Sequence, residues 1–413
     1  MTSTGSTSHW RRALPHLPVR TTGAAVATVT LAGALLAAAP PAGAAVRNTA
    51  CPVVWNGSVL VTAAISATGQ LIAYEQVLGA TSWAKFPVAT HAPDGDPLVS
   101  VSMTATSDAV QIAAEDDNGD IWFYRQNDST GVWSKGQLVG GVSAGNAGGF
   151  QTPQIAWTGV PGHTGTNSVI TVADGSGNLL MWYQNGGGWS QETVWDGTSS
   201  DEFDDAAVTA TDQGIVIVAL RTDGGFYSFF QPYGPNPWVS DGTIDVGPDQ
   251  SFDSLAVTWD GTNVDVDAAY NSGTGLPNPD ELLFLWKPDN AGWSKKDVLG
   301  PNSAKPLDYT PAITFTGSNL LLTTDQEVSS TQERLDFWWQ GSTITNFNFE
   351  SVATANGTNG FGPPQVAYTE GASAPETAIV APFTTNNFET SGLNDWTEPF
   401  GSSTWTKHVV TPA

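Results

Sequence analysis

The chain has 413 residues, and its 40 acidic side chains against 14 lysines and arginines give a net charge of −26 at neutral pH. So acidic a chain lacks the basic surface that nucleic acid binding requires, and anionic membranes repel it. Cys51 is the single cysteine, which excludes an intrachain disulfide and a cysteine-based metal site. With 17 tryptophans and few cations, aromatic packing is expected to hold the fold together.

The N-terminal segment has the pattern of a secretory signal peptide. Three arginines precede a small apolar run over residues 21–39, and small residues ending at Ala44 suit a signal peptidase. A membrane anchor is the alternative, since the run is nearly long enough to span a bilayer, but it is rich in Ala, Gly and Thr. We therefore predict a signal peptide at 1–44 and a secreted, extracellular domain at 45–413 without membrane attachment. The Sec and twin-arginine export routes both stay open.

A tryptophan that follows a glycine- or turn-rich break recurs along the chain. It is found at Trp83, Trp133, Trp189, Trp238, Trp293 and Trp405. Successive copies lie about 50 to 56 residues apart, and the last interval is about twice as long. A seventh copy with a changed marker is therefore expected inside that interval, with Phe347 or Phe349 in place of the tryptophan.

Each copy contains four short β-type runs, which are clearest in the third copy. There they cover residues 153–157, 168–173, 178–184 and 189–195, with turn residues between them. The third run of each copy is apolar or aromatic on both faces, as expected of a strand buried between neighbouring sheets.

Four strands per copy, repeated seven times, predict an all-β fold: a seven-bladed β-propeller with four antiparallel strands per blade. The predicted blades cover residues 52–90, 98–140, 152–197, 205–247, 252–300, 308–353 and 362–411. An open solenoid is the alternative, but it needs polar terminal caps, and none is evident. Residues 46–64 lead into the first copy and could supply a strand that closes the ring.

The repeated tryptophans admit two interpretations. A position that recurs in every blade is typical of packing between blades, and we favour this interpretation because aromatic side chains dominate cores. The alternative is a ring of sugar-stacking platforms, since the face of an indole suits the apolar C–H groups of a sugar.

The third strands supply the candidate ligand contacts. Adjacent aromatic residues on a strand point to opposite faces, so one of each pair can reach a groove between blades. Arg125 is one of few arginines, and its planar fork suits ligand hydroxyls or a carboxylate; pairing with a surface acid would leave it inert. We expect Arg125 to reach the groove toward a neighbouring blade. The predicted ligand-binding residues are Trp122, Tyr124, Arg125, Trp182, Tyr183, Trp286 and Trp339.

The acidic segments are interpreted as loops. Residues 115–120 place oxygens at alternate positions, as calcium loops do, but a hairpin turn explains their Asn-Gly pair. Residues 201–205 are expected in a connection between blades, where they make one face of the ring anionic. The histidines after residue 44 share no spacing that favours a metal centre or a catalytic triad. These histidines are His91, His163 and His408. Neither a metal nor a cofactor is predicted.

The copies share an apolar strand, a glycine turn, an aromatic strand ending in Gln, as in GDIWFYRQ at 119–126, and then a Gly-x-Trp-Ser pattern. This pattern resembles the tectonin-type and fucose-binding β-propeller lectins over nearly the whole predicted domain. The resemblance implies a glycan ligand, bound in shallow pockets between blades by Trp or Tyr with an Arg and a Glu. Arg125, Arg221 and Arg334 lie at different places in their copies, so one or two sites are expected rather than seven.

Three functions stay open from the sequence. Carbohydrate binding without catalysis is favoured by the aromatic excess, the predicted secretion and the resemblance. An extracellular scaffold or adhesion propeller could instead bind a protein partner through its acidic face. A glycan-cleaving propeller enzyme is the third; sialidase-type propellers are similar in outline, but their repeated Ser-x-Asp-x-Gly-x-Thr-Trp box is not found.

Overall fold

The computed structural model of the chain describes residues 50–106, 109–127, 130–141, 152–159, 167–185, 188–197, 202–222, 225–234, 236–244, 251–271, 281–288, 291–298, 311–329, 331–357, 359–385, 389–399 and 402–411. The predicted signal peptide lies outside these residues. Every regular element in this part of the chain is a β-strand, and the strands form seven sheets. The described ranges contain no helix long and apolar enough to cross a membrane.

Blades 1 to 4 follow one another along the chain. Blade 1 contains β1 (Val53–Trp55), β2 (Val59–Ile65), β3 (Leu71–Val77) and β4 (Ala84–Ala89). Blade 2 contains β5 (Leu98–Ala105), β6 (Ala109–Asp116), β7 (Ile121–Asn127), β8 (Val132–Trp133) and β9 (Gln137–Gly140). Blade 3 contains β10 (Gln154–Trp157), β11 (Ser168–Ala173), β12 (Leu179–Asn185) and β13 (Gly188–Trp195). Blade 4 contains β14 (Phe203–Ala210), β15 (Gly214–Arg221), β16 (Phe226–Pro232) and β17 (Val239–Ile244).

Blades 5 to 7 complete the series. Blade 5 contains β18 (Ser251–Trp259), β19 (Asn263–Asn271), β20 (Glu281–Pro288) and β21 (Ser294–Asp297). Blade 6 contains β22 (Ala312–Phe315), β23 (Leu320–Ser329), β24 (Gln332–Gln340) and β25 (Phe347–Asn356). Blade 7 contains β26 (Gly360–Phe361), β27 (Gln365–Tyr368), β28 (Glu376–Thr385), β29 (Glu389–Pro399) and β30 (Thr406–Thr411).

The blades form a closed ring around their first strands. β1 contacts β5, the contacts continue through β10, β14, β18 and β22 to β27, and β27 returns to β1. Within each blade the strands pair antiparallel in sequence order. The predicted seven-bladed β-propeller with four antiparallel strands per blade is therefore confirmed.

Two blades depart from the four-strand pattern. In blade 2 the fourth strand is divided into β8 and β9, which both pair with β7. In blade 7 the first strand is divided into β26 and β27, which both pair with β28. In each case the two short strands take the place of one strand, so the sheet still has four strand positions.

Glycine recurs between the second and third strands because the turn needs it. Gly69, Gly119 and Gly177 have φ values of 79°, 83° and 77°, in the left-handed region that favours glycine. A Cβ on Gly69 would also lie 2.3 Å from the Cβ of Pro97, which leads into blade 2. The turn therefore packs closely against the connection to the next blade.

An apolar cluster fills each of the seven interfaces between neighbouring blades. Between blades 4 and 5, for example, Phe226 and Val218 pack with Val266 and Leu283. Each fully buried side chain of this size stabilises the fold by roughly 1.5–3 kcal/mol. Side-chain packing thus holds together sheets that share no paired strand in the described ranges.

The same kind of packing closes the ring. Leu60 and Tyr74 of blade 1 lie in one buried cluster with Val380 and Leu393 of blade 7. Residues 53–55 and 59–65 are the first two strands of blade 1 itself, and they pair with each other. The expectation of a ring-closing strand from residues 46–64 is therefore wrong for the described residues.

Candidate binding grooves between the blades

Each blade carries one aromatic residue at or just before the start of its fourth strand, and we call these residues the marker aromatics. They are Trp83, Trp133, Trp189, Trp238, Trp293, Phe347 and Trp405, and all are half-buried. Phe347 takes the place of the missing tryptophan, because it lies opposite Gln340 as Trp189 lies opposite Gln184. Phe349, the other candidate, is 47% exposed.

Each marker packs on the blade that precedes its own. At three interfaces the marker ring meets a phenylalanine on the third strand of that blade edge to face. The centroid distance is 5.1 Å for Phe123–Trp189, for Phe284–Phe347 and for Phe337–Trp405. The markers therefore serve packing between blades, as predicted, and each keeps part of its surface exposed at an interface, which we call a groove and number by its two blades.

Three markers are also held by hydrogen bonds. Their indole Nε1 atoms donate to the preceding blade, from Trp83 to Asp395 (2.9 Å), from Trp238 to Glu192 (3.2 Å) and from Trp293 to Ser228 (3.2 Å). A repeated aromatic position thus meets aromatic rings at some interfaces and polar acceptors at others.

Three of the predicted ligand-binding residues lie in the core. Trp122 is 7% exposed, Tyr124 1% and Trp182 2%. Each packs against the preceding blade, and the Trp122 indole donates to Asp116 at 2.7 Å. Rings this deeply buried offer a sugar no platform unless their neighbours move, so their burial favours packing, and their role in binding stays a prediction.

The other four predicted residues share one repeat position. Arg125, Tyr183, Trp286 and Trp339 each lie one residue before the side chain that faces the marker, and all are half-buried. Because alternate residues share a strand face, each lies on the face toward the next blade. Their position is therefore beside the next marker aromatic, at the edge of a groove.

Aromatic walls are most complete in the groove between blades 6 and 7, which we call groove 6/7. Trp339 stacks on Phe337 with a centroid distance of 5.8 Å, and Trp405 of blade 7 meets the same Phe337. Groove 5/6 repeats this arrangement. There Trp286 stacks on Phe284 at 5.5 Å, and Phe347 meets Phe284 from blade 6.

Groove 3/4 combines aromatic side chains with a carboxylate. Tyr183 and Trp238 pack on the same core cluster. The Oε2 atom of Glu192 accepts hydrogen bonds from Trp238 and, at 2.9 Å, from Nε2 of Gln231. Sequence reasoning missed Glu192, because nothing in its own strand marks it until blade 4 places two donors beside it.

Three of the four arginines of the predicted domain lie in the described residues, and their surroundings differ. Arg125 lies on the strand face toward blade 3. Arg221 stacks over Tyr227 and donates to its hydroxyl at 2.9 Å, within blade 4. Arg334 is paired with Asp336 in blade 6. Arg125 is thus the arginine placed beside a marker aromatic, which agrees with the expectation of few sites rather than seven.

The interface between blades 7 and 1 carries a buried polar cluster. Asp395 is 0% exposed and accepts from Trp83, and its Oδ2 lies 3.1 Å from Nδ1 of His408. Burial raises the pKa of Asp395, while the bonds from Trp83 and His408 oppose this shift. Sequence spacing did not reveal this pair, because Asp395 and His408 meet only through the pairing of β29 with β30.

A cavity of about 590 Å³ lies inside the ring of first strands, with Ser102, Gln154, Ser254 and Gln365 among its lining residues. Asp205 also lines it, and burial raises its pKa to about 7. In the described part of the predicted acidic connection, Phe203 begins β14, so Asp204 and Asp205 belong to a strand that faces the cavity. The prediction that the whole segment 201–205 lies in a connection is therefore wrong, because Asp204 and Asp205 lie in β14.

Comparison with solved structures places the chain among propellers that include lectins. The lectin BP39L from Burkholderia pseudomallei is similar over 88% of this chain and 99% of its own, with a TM-score of 0.61 and 13% identity. An ulvan lyase, a polysaccharide lyase, is similar over 84% of this chain and 93% of its own, with a TM-score of 0.58 and 9% identity. The six-bladed fucose-binding lectin of Aleuria aurantia covers 76% of this chain and 97% of its own at 14% identity and a TM-score of 0.49.

The chain resembles lectin propellers in its fold. No family model and no curated protein sequence matches it. At these identities the similarity concerns the arrangement of blades and not the side chains of any site. The function therefore has to be argued from the grooves themselves.

Proposed function

We propose that the chain is a carbohydrate-binding propeller that holds glycans in the grooves between its blades and does not cleave them. The observation that carries this proposal is groove 6/7, where Trp339 and Trp405 approach from two blades and both contact Phe337. Both indoles keep part of their surface outside the core. Two partly exposed rings that meet at one interface fit the apolar faces of a sugar ring.

A sugar also needs hydrogen-bond partners for its hydroxyl groups, since binding sites combine apolar walls with a few polar groups. Groove 3/4 supplies them, because Glu192 accepts from Trp238 and Gln231 beside Tyr183. Arg125 offers donors at the equivalent edge of groove 2/3. The grooves thus differ in polarity, which supports one or two functional sites rather than seven equal ones.

The charge of the chain narrows the class of glycan. With a net charge of −26, the protein repels polyanionic polysaccharides at long range. Neutral sugars are not subject to this repulsion. We therefore infer a neutral glycan, met outside the cell if the predicted signal peptide at 1–44 is cleaved.

Catalysis has little support in the described residues. Their one carboxylate–imidazole ion pair joins Asp395, which is 0% exposed, to the His408 side chain, which is 10% exposed. Such an enclosed pair suits the interface between blades better than a reacting polymer. The fold shared with an ulvan lyase does not by itself imply its activity.

A glycan array followed by calorimetric titration of the best ligand tests the proposal. If groove 6/7 is the site, Trp339→Ala should weaken binding about 5- to 10-fold, the scale of one aromatic contact. Trp286→Ala is the matched control, because it removes the equivalent ring of groove 5/6. If only Trp286→Ala weakens glycan binding, the site lies in groove 5/6.

Two outcomes would contradict the proposal. An array without neutral-glycan ligands, together with capture of a protein partner by the acidic face, would favour the scaffold function. Release of reducing sugar from a bound glycan would show an enzyme instead.

A further inference from the structure

Three carboxylates of blade 2 and its entry segment converge at the end of the blade opposite the marker aromatics. Asp94 lies in the connection from blade 1, and Asp116 and Asp120 begin and end the turn between β6 and β7. One carboxylate oxygen from each lies within 4.8 Å of the others. The side chain of Asn118 ties the turn to the connection by bonding Asp96.

The same turn in blade 3 shows what is unusual here. There Asp174 Oδ1 accepts from the backbone of Ser176 and Asn178, both at 2.9 Å, and Asn178 Nδ2 donates to Asp174 Oδ2 at 2.8 Å. The uncharged amide of Asn178 thus donates a hydrogen bond to the Asp174 carboxylate. The turn of blade 3 is held by hydrogen bonds between its own residues.

The turn of blade 2 has the same backbone hydrogen bonds but a different side chain at its last position. Asp116 Oδ1 accepts from the backbone of Asn118 at 3.0 Å and of Asp120 at 2.9 Å, as in blade 3. Asp120, however, stands where blade 3 has Asn178, so a second carboxylate replaces the amide donor, and Asp94 adds a third. Like charges this close repel unless a cation lies among them.

A second observation points to the same place. The hydroxyl of Tyr124 is buried, with the residue 1% exposed, and it has no hydrogen-bond partner among the described residues. The Tyr124 ring lies beside the segment that carries Asp94, because a Cβ on Gly136 would be 2.8 Å from that ring and 3.0 Å from Pro93. A buried hydroxyl normally has a partner, and water carried by a bound ion would provide one.

We propose that Asp94, Asp116 and Asp120 bind a calcium ion, with a coordinated water accepting the hydrogen bond of Tyr124. Calcium takes several oxygen ligands in a flexible geometry, which three carboxylates and water can supply. The ion would link the connection from blade 1 to the turn of blade 2. This site lies away from the grooves, so it is independent of the proposed glycan binding.

Terbium luminescence and thermal unfolding test the site with calcium chloride as the ligand. Because the Trp122 indole donates to Asp116 at 2.7 Å, excitation of Trp122 should sensitise Tb³⁺ bound there, and Ca²⁺ should displace it. Calcium should raise the melting temperature of the full chain by about 2–4 °C at millimolar concentration.

Asp120→Asn reproduces the residue of blade 3 and is therefore expected to fold. It should abolish sensitised luminescence and the calcium-dependent shift, yet melt no lower than the parent chain in EDTA. Asp94→Asn, in an exposed segment, should weaken calcium binding at least about tenfold. Asp174→Asn in blade 3 is the matched control and should leave calcium binding unchanged. Absence of a calcium effect on the parent chain, or an unchanged effect in both Asp120→Asn and Asp94→Asn, would overturn the proposal.

Discussion

Two interfaces of the ring contain buried aspartates, which differ in whether side chains donate hydrogen bonds to them. Between blades 7 and 1, Asp395 accepts from Trp83 at 2.9 Å and pairs with His408 at 3.1 Å. In blade 5, Asp265 and Asp267 are also 0% exposed, but no side chain in the described ranges donates a hydrogen bond to their carboxylate oxygens.

The aspartates of blade 5 face blade 6. Val264 and Val266 alternate with them along β19 and belong to the cluster shared with blade 4, so Asp265 and Asp267 point the other way. Burial raises the pKa of Asp265 to about 9 and that of Asp267 well above its ordinary value. With that pKa, the Asp265 carboxyl is uncharged at neutral pH.

A buried carboxyl on a blade face thus has different consequences with and without side-chain donors. With two donors, Asp395 orients a tryptophan and a histidine at the interface that closes the ring. Without side-chain donors, Asp265 and Asp267 make the stability of the fold depend on pH, because the unfolded chain ionises them freely.

Removal of the partnered carboxyl should have the largest effect. Asp395→Ala leaves the Trp83 N–H and the His408 ring without their acceptor in a buried interface, and we expect it to lower the free energy of unfolding by about 3 kcal/mol. Urea denaturation at pH 7 measures this. Asp395→Asn, which keeps one acceptor oxygen, should lose less. Equal stability of the alanine variant and the parent would show that ring closure does not depend on Asp395.

Replacement of Asp265 should instead raise the free energy of unfolding. The stabilising effect of protonated Asp265 is complete below its ordinary pKa of 3.8 and is lost as the pH rises toward about 9. Asp265→Asn should therefore raise the free energy of unfolding at pH 7 by about 2 kcal/mol and flatten its decline with pH. Denaturation curves from about pH 5 to pH 9, where the ionisation of unfolded and folded Asp265 differs, measure both effects. An identical pH slope in variant and parent would refute this account of Asp265.

Removal of His408, the second donor to Asp395, should have the smallest effect on the free energy of unfolding. His408→Ala removes the imidazole but leaves the bond from Trp83, so a loss of about 1 kcal/mol is expected. His91 is exposed, and His91→Ala serves as the control. A loss for His408→Ala as large as that for Asp395→Ala would mean that the imidazole, and not the indole, holds the carboxylate.

Much of the fold could be predicted from the sequence because the repeat is local. The strands of blade 3 match their predicted ranges to within about two residues, and the seventh marker was expected at Phe347 or Phe349. Hydrophobic patterning and turn residues specify a strand wherever it lies along the chain. The burial of Trp122, Tyr124 and Trp182 was harder to predict, because alternation along a strand names two faces but not which one is covered.

The number of blades, their boundaries and the recurrence of one aromatic residue per blade could be predicted from the sequence, because each depends on residues close together in the chain. Which side chains from different blades meet depends on the tertiary structure. Asp94 reaches Asp116 and Asp120 across a blade connection, Trp83 reaches Asp395 across the closure of the ring, and Glu192 receives Trp238 from the next blade. The physical reason is that charge, hydrogen bonding and burial depend on distances in space, which a linear repeat leaves open until the ring has closed.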